Sequence, residues 1–248
     1  MKALEELTQD IREKLPISTV LNIDCLEYMS TVPDLFFDWA VCDIEYGIGA
    51  SKPSDKSGYV IQKNGDRKYV KGVDYAHSDW DMKKSSSEYF EQLKRISKNQ
   101  IIFGGNYYGL EGGYLIWDKL NGLSDQYGCE LAWLSFSNRT DIVYYMWAGM
   151  MQGIYCGKDV RKALVQQGNK KLNEKRIHET QKPVILYDWL IQEYNIRGKV
   201  FDSHLGSGSN RIAQYRNGNE FYACEIDLKK FEDQEFRFKI ELSTPTLF

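Results

Sequence analysis

Near the C-terminal end of the chain, Phe201-Asp202-Ser203-His204-Leu205-Gly206-Ser207-Gly208-Ser209 runs into Asn210-Arg211-Ile212-Ala213, and Phe221-Tyr222-Ala223-Cys224-Glu225 follows. The order is strand, glycine turn, helix, strand, with a carboxylate where the second strand ends. Glycines let a turn bring bare backbone against a ligand, and an acid about 20 residues on can hold a ribose diol. Gly206 and Glu225 are 19 residues apart. A dinucleotide fingerprint would place a third glycine at position 211, where this chain has Arg211. The pattern therefore favours a nucleoside ligand without a pyrophosphate, although Gly-x-Gly alone also marks any ordinary strand-to-helix turn. Two further segments carry groups able to do chemistry. His178-Glu179-Thr180-Gln181-Lys182-Pro183 leads into an apolar-periodic helix, and Trp39-Ala40-Val41-Cys42 is a buried-strand pattern ending in Asp43-Ile44-Glu45-Tyr46-Gly47.

These groups need a scaffold, and the periodicity supplies one. Leu4 to Lys14 reads as a short amphipathic helix, Thr19 to Ile23 as a strand, and Asp24 as the cap of the next helix. Phe36 to Cys42 is a strand; Ala50 to Asp79 is a long polar loop without clear periodicity, a length that is usually functional in a compact domain. Ser85-Ser86-Ser87-Glu88 caps a helix running to about Ser97, and Gln100 to Phe103 is a buried strand. Three aromatic β-like runs, Tyr114–Trp117, Glu130–Phe136 and Ile142–Trp147, predict an antiparallel edge on an otherwise parallel sheet. Lys158 to Gln167 reads as a basic helix and Gly168 to Arg176 as a basic loop. Thr180 is a candidate cap for a helix from Pro183 to about Tyr194; Lys199 to Phe201 is a strand, Asn210 to Asn217 its helix, and Leu228 to Ile240 a final charged helix. Alternating strands and helices predict an α/β fold with a doubly wound, mostly parallel sheet. Ligands in such sheets bind beyond the carboxyl ends of the strands. Asp24, Asp43, the Gly206–Gly208 turn and Glu225 all fall at such ends, so they can share one cleft.

Composition narrows the class. At 248 residues with 42% hydrophobic residues and a mean hydropathy of −0.51, the chain fits one large globular domain spanning 1–248. No run of about 18 apolar residues predicts a membrane span. The five cysteines are odd in number, scattered and without Cys-x-x-Cys spacing, which fits a reducing cytoplasm. The three histidines are far apart, so no metal site is expected. The net charge of −3 hides a segregation. Residues 52–71 carry six lysines and arginines against two aspartates, a net +4, and residues 158–177 carry seven against two acids, a net +5. Two basic segments in an acidic protein can track phosphates, although a solvated face is the ordinary role of either one.

Asp43-Ile44-Glu45-Tyr46, Thr180-Gln181-Lys182-Pro183 and Phe201 to Gly208, in this order, resemble the S-adenosylmethionine-dependent DNA amino-methyltransferases. The resemblance is to the permuted class, in which an Asp-Pro-Pro-Tyr motif precedes the cofactor motif, and it spans roughly residues 20 to 240. It implies a Rossmann-like methyltransferase fold, S-adenosylmethionine as cofactor and DNA as partner, with a second copy or a related methyltransferase subunit as a further partner. It implies that Asp43 and the Ile44 carbonyl accept hydrogen bonds from the target amino group, while Tyr46 stacks on the flipped base. Asp24, Phe201, Asp202, Gly206, Gly208, Ser209 and Glu225 are the implied cofactor contacts, and Lys182 is the implied partner of the cofactor carboxylate. Lys68, Lys71, Lys170 and Lys171 are the candidate DNA contacts, within a basic loop at about 50–80 and a target-recognition region at about 138–177. Cytosine-N4 members commonly open the motif with Ser, so Asp43 implies adenine N6, as in the restriction–modification enzymes. The departure is Ile44-Glu45 in place of two prolines, which removes backbone stiffness and adds an anion. A cofactor-binding partner without activity and a methyltransferase of RNA or protein glutamine are the competing readings.

Overall fold

The computed structural model describes residues 16–47, 58–61, 65–70, 84–121, 127–148, 151–153, 173–178 and 180–243. The predicted segments at 4–14, 158–167 and 168–172 lie outside them, as do Lys71, Lys170 and Lys171. The chain divides into two compact units, one formed by Met1–Ile44 with Ser86–Phe248 and the other by Glu45–Ser85.

The larger unit is built on an eight-stranded sheet. In chain order its strands are β1 (Ser18–Leu21), β2 (Phe37–Asp43), β5 (Ser97–Phe103), β6 (Gly113–Asp118), β7 (Cys129–Leu134), β8 (Thr140–Tyr144), β11 (Lys199–Asp202) and β12 (Glu220–Cys224). They lie side by side as β1-β12-β11-β2-β5-β7-β6-β8. The first five are mutually parallel, β7 runs antiparallel to both β5 and β6, and β6 and β8 pair in parallel. The expected antiparallel character is thus confined to β7, which inserts between β5 and β6. The outermost pair runs parallel because the chain crosses β6 on its way from β7 to β8. A small antiparallel pair, β9 (Trp147–Ala148) with β10 (Met151–Gln152), follows.

Helices α1 (Cys25–Thr31) and α2 (Ser87–Ile96) cover one face, and α3 (Val184–Glu193), α4 (Ser209–Arg216) and α5 (Leu228–Ser243) the other. Alternation along the strands divides the core accordingly. On β2, Val41 packs with Leu190 and Ile212 in one cluster, whereas Ala40 and Cys42 pack with Met29 and Leu93 in the other. Asp24 caps α1, its Oδ1 accepting from the Leu26 and Glu27 amides at 2.8 and 3.1 Å, and Ser86 caps α2. The Phe201 ring lies wholly inside the core between Phe37 and Tyr28, with centroids 5.0 and 5.6 Å away. Such pairs add about 0.5–1.5 kcal/mol each beyond burial.

The smaller unit contains a two-stranded antiparallel ribbon, β3 (Gly58–Ile61) and β4 (Arg67–Val70), where the sequence predicts a featureless loop. Gly65, with a φ of +87°, lies in the connection between the two strands. Tyr59 and Tyr69 stand opposite each other, edge to face at 5.4 Å, and both are more than half exposed. Arg67 lies over the Tyr59 ring at 5.3 Å. Near the ends of this segment, the Ser85 hydroxyl donates to Glu45 Oε2 at 3.0 Å.

Candidate active site

β2 and β11 are neighbours whose crossovers diverge. From β2 the chain leads through the smaller unit and α2 to β5 on one side, and from β11 through α4 to β12 on the other. Their ladder pairs Val200 with Trp39 and Phe201 with Ala40 and then ends. Beyond it, the Asn210 side chain of α4 bridges the two strands, donating to the Val41 carbonyl at 2.9 Å and to Asp202 Oδ2 at 3.0 Å. This is the crevice in which doubly wound sheets bind ligands. Asp43 ends β2 on one side of it and Asp202 ends β11 on the other.

The glycine turn after β11 is shaped for close approach. Gly206 and Gly208 have φ of +54° and +75°, conformations that favour glycine. The Gly206 amide donates to Glu225 Oε2 at 2.8 Å, and the Asp227 amide donates to Oε1 at 2.9 Å. Both oxygens of Glu225 are thereby oriented, and a carboxylate has lone pairs left for two further donors. Asp202 is buried; its Oδ1 accepts from the His204 amide at 3.1 Å. Burial pushes its carboxyl up to about 6, against the hydrogen bonds from Asn210 and His204. Ser209 starts α4 and shares its hydroxyl with Ser207 and Arg237. Arg211, in place of a third glycine, points away to Ser18 and to Gln234 and Glu235 of α5.

The Thr180–Pro183 segment is held by Gln181 and Glu174. Gln181 donates to Glu174 Oε1 at 2.7 Å and accepts from the Ile177 amide, while its carbonyl takes the Trp147 indole N–H. Pro183, not Thr180, occupies the cap position of α3, and Glu174 Oε2 accepts the Val184 amide in place of a local cap. The Thr180 hydroxyl instead shares a hydrogen bond with His178 Nδ1 at 3.0 Å. Burial, and then the nearby Lys230 charge, depress His178 to about 4.

Lys182 follows, and the structure pairs its ammonium with two carboxylates, Asp43 Oδ1 at 2.5 Å and Glu130 Oε2 at 2.8 Å. Lys119, just after β6, pairs with the other oxygen of Glu130. The Lys182 side chain is only 4% exposed, and its ammonium lies 4.7 Å from the centre of the Phe103 ring at the end of β5. It therefore passes over β5 and links the ends of β2 and β7. Desolvation works against the Lys182 charge, but Asp43 and Glu130 outweigh it and raise its pKa. The Tyr187 phenol of α3 is held well above its usual range by burial, then by the charges of Asp43, Asp202 and Glu130.

The larger unit thus brings Asp43, Lys182, Asp202, the Gly206–Gly208 turn and Glu225 to the carboxyl edge of the sheet. Asp24 is fixed as a cap, Phe201 supports the strand from within the core, and Ile44 as a whole residue is 1% exposed. Tyr46 and Lys68 belong to the smaller unit. Sequence reasoning missed Glu130, Lys119 and Asn210. For Glu130 the available signal was an acid opening the apolar run Leu131-Ala132-Trp133-Leu134. Among the described residues no cluster of His, Cys, Asp and Glu could hold a metal ion, and no helix is long and apolar enough to cross a membrane.

The model of a family described as DNA methylase matches residues 50–235. The fold is similar to that of M1.HpyAVI solved as a complex with S-adenosylmethionine, with a TM-score of 0.50 and 15% identity over 90% of this chain and 99% of that one. The cytosine-N4-specific PvuII DNA methyltransferase is similar at a TM-score of 0.48 and 12% identity, over 91% of this chain and 89% of that one. No curated protein matches the sequence.

Proposed function

Because the chain belongs to the DNA methylase family, whose members methylate adenine N6 or cytosine N4 with S-adenosylmethionine, we propose that it methylates adenine N6 at specific sites in DNA. The observation that carries this reading is the placement of Asp43 and Asp202 at the ends of adjacent parallel strands whose crossovers diverge. It sets a candidate acceptor for an amino group beside a nucleoside-binding turn.

The residues fit the cofactor. Glu225, oriented by two backbone amides, suits the ribose hydroxyls, and the Gly206–Gly208 turn leaves bare backbone beside them. Asp202 suits a cationic amino group, and Asp24 and Ser209 are the remaining polar candidates at the strand ends. Bound S-adenosylmethionine supplies a methyl group on a sulfonium centre. The amino nitrogen of a base is a poor nucleophile because its lone pair is delocalised into the ring. Asp43 and the Ile44 carbonyl accept its two N–H groups, which favours a more tetrahedral nitrogen with an available lone pair. Tyr46 stacks on the base after it leaves the duplex. Positioning then supplies much of the acceleration. Lys182, which the resemblance assigns to the cofactor carboxylate, acts first on Asp43 in this reading. Arg67 and Lys68 on the ribbon contact phosphates, with Lys71, Lys170 and Lys171 as further candidates, and Tyr59 and Tyr69 offer stacking faces. Adenine is favoured over cytosine by Asp43 at the head of the motif.

The test is incubation with unmethylated genomic DNA and isotope-labelled S-adenosylmethionine, followed by nucleoside mass spectrometry. Labelled N6-methyladenine is the expected product, and N4-methylcytosine would overturn the choice of base. A second reading, an inactive cofactor-binding partner subunit, is motivated by Ile44-Glu45. Wild-type protein that binds cofactor yet leaves every DNA unmodified, alone and with candidate subunits, would establish it.

A further inference from the structure

Asp43, Lys182, Glu130 and Lys119 form a row in which negative and positive charges alternate and sum to zero, with Lys182 buried and the other three partly buried. The row ties three strand ends together: Asp43 on β2, Glu130 on β7, and Lys119 just beyond β6. Its geometry matters for the acceptor role of Asp43. An ammonium facing Asp43 alone would hold the carboxylate in place but draw off much of its capacity to accept from an amine. A second carboxylate on the far side of Lys182 divides that attraction, and Lys119 behind it keeps Glu130 ionised and in place. Removing one partner of a buried ion pair is far costlier than its net contribution, so each member is held by the next.

We propose that Glu130 is a positioning residue for methyl transfer: it shares the Lys182 ammonium with Asp43, so that Asp43 is fixed in orientation yet remains a strong acceptor. This rests on the reading of Asp43 as the amino-group acceptor. Among the described residues, Asp202 from β11 and Tyr187 from α3 also interact with Asp43, and neither belongs to the row.

The test is single-turnover methyl transfer at saturating S-adenosylmethionine across a pH series, with calorimetric cofactor binding and thermal melts, on wild type, Glu130→Gln, Lys182→Met and the double variant. Glu130→Gln should lower the rate at least tenfold while the cofactor Kd changes less than twofold. The double variant should be no slower than Lys182→Met alone, because Glu130 acts through Lys182. The acid limbs should move in opposite directions. Loss of the Lys182 charge makes a neighbouring carboxylate easier to protonate and shifts the limb to higher pH. Loss of the Glu130 charge leaves the ammonium to Asp43 and shifts it to lower pH. A Glu130→Gln rate within twofold of wild type, losses that multiply, or a parallel weakening of cofactor binding would overturn the inference. If Glu130→Gln melts below the assay temperature, Lys119→Met takes its place. That change frees Glu130 to draw harder on Lys182 and should move the acid limb to higher pH, and an unmoved limb overturns the proposal. A wild type that methylates no DNA defeats the functional reading itself, an outcome distinct from an active enzyme indifferent to Glu130.

Discussion

Asp202 and Glu225 sit at the ends of adjacent parallel strands, yet their surroundings ask different things of them. Glu225 is oriented by two amides, so Glu225→Ala removes a charged acceptor prepared in advance. S-adenosylmethionine binding should weaken at least tenfold, about 1.4 kcal/mol, measured by calorimetry on folded protein. Unchanged affinity would take Glu225 out of the site. Asp202 is held up to about 6 chiefly by burial. A raised carboxyl favours folding while protonated, so its contribution to stability is full below the unfolded value of 3.8 and is lost as pH rises through about 6. Binding of a cationic amino group needs the opposite, ionised form. Cofactor affinity should therefore fall as pH drops from 7.5 to 5, and Asp202→Asn should flatten that dependence; a wild-type affinity independent of pH would count against the contact. Ile44 stands where the family has proline, but its side chain fills the core beside Met29 and Leu93. Ile44→Pro should lower stability by about 1–3 kcal/mol in thermal or denaturant melts through lost packing. Full stability would mean that the core closes over the gap.

At the scale of elements, the β3–β4 ribbon combines exposed aromatic rings with two adjacent cations, Arg67 and Lys68, in a protein of net charge −3. Counterion release depends on local phosphate contacts, so DNA affinity should fall steeply between 50 and 200 mM salt, conditions under which several contacts cost about 10³-fold or more. Charge reversal at Arg67 and Lys68 should reduce the logarithmic salt slope by about 2, whereas alanines at Tyr59 and Tyr69 should weaken binding without changing it. Fluorescence anisotropy separates the two, and a slope indifferent to the charge reversals would remove the ribbon from the interface. Strands β2, β5, β11 and β12 and helices α1 to α5 were legible because each follows its own hydrophobic period, and α1 and α2 also carry the side-chain caps Asp24 and Ser86. The ribbon was not, since its described side chains, Tyr59 and Arg67 to Tyr69, are exposed and mark no buried period. The directions of β6 and β8 were hidden as well, because pairing is decided by where the chain crosses and not by local residue choice. The same limit concealed Glu130 and Lys119, whose roles exist only once distant strand ends meet.

Across the whole molecule, the described residues of both core clusters belong to the larger unit. Replacing residues 46–84 with a flexible Gly/Ser linker should leave a cooperative fold that still binds S-adenosylmethionine but neither holds DNA in a salt-dependent manner nor transfers methyl groups. A replacement chain that fails to fold in circular dichroism would show that the smaller unit is part of the core's stability. In the larger unit, Arg211 has a consequence beyond its place in the glycine motif. Its guanidinium bonds Gln234 and Glu235 and lies 3.8 Å over the Phe238 ring, while Arg237 reaches back to the Ser207 carbonyl and the Ser209 hydroxyl. The glycine turn is thus latched from behind by the last described helix, the element reached by a fusion or truncation made just after Ser243. A tag or truncation that loosens α5 would read out as a cofactor defect, and protein engineered for convenience at that end would be mistaken for a naturally weak binder.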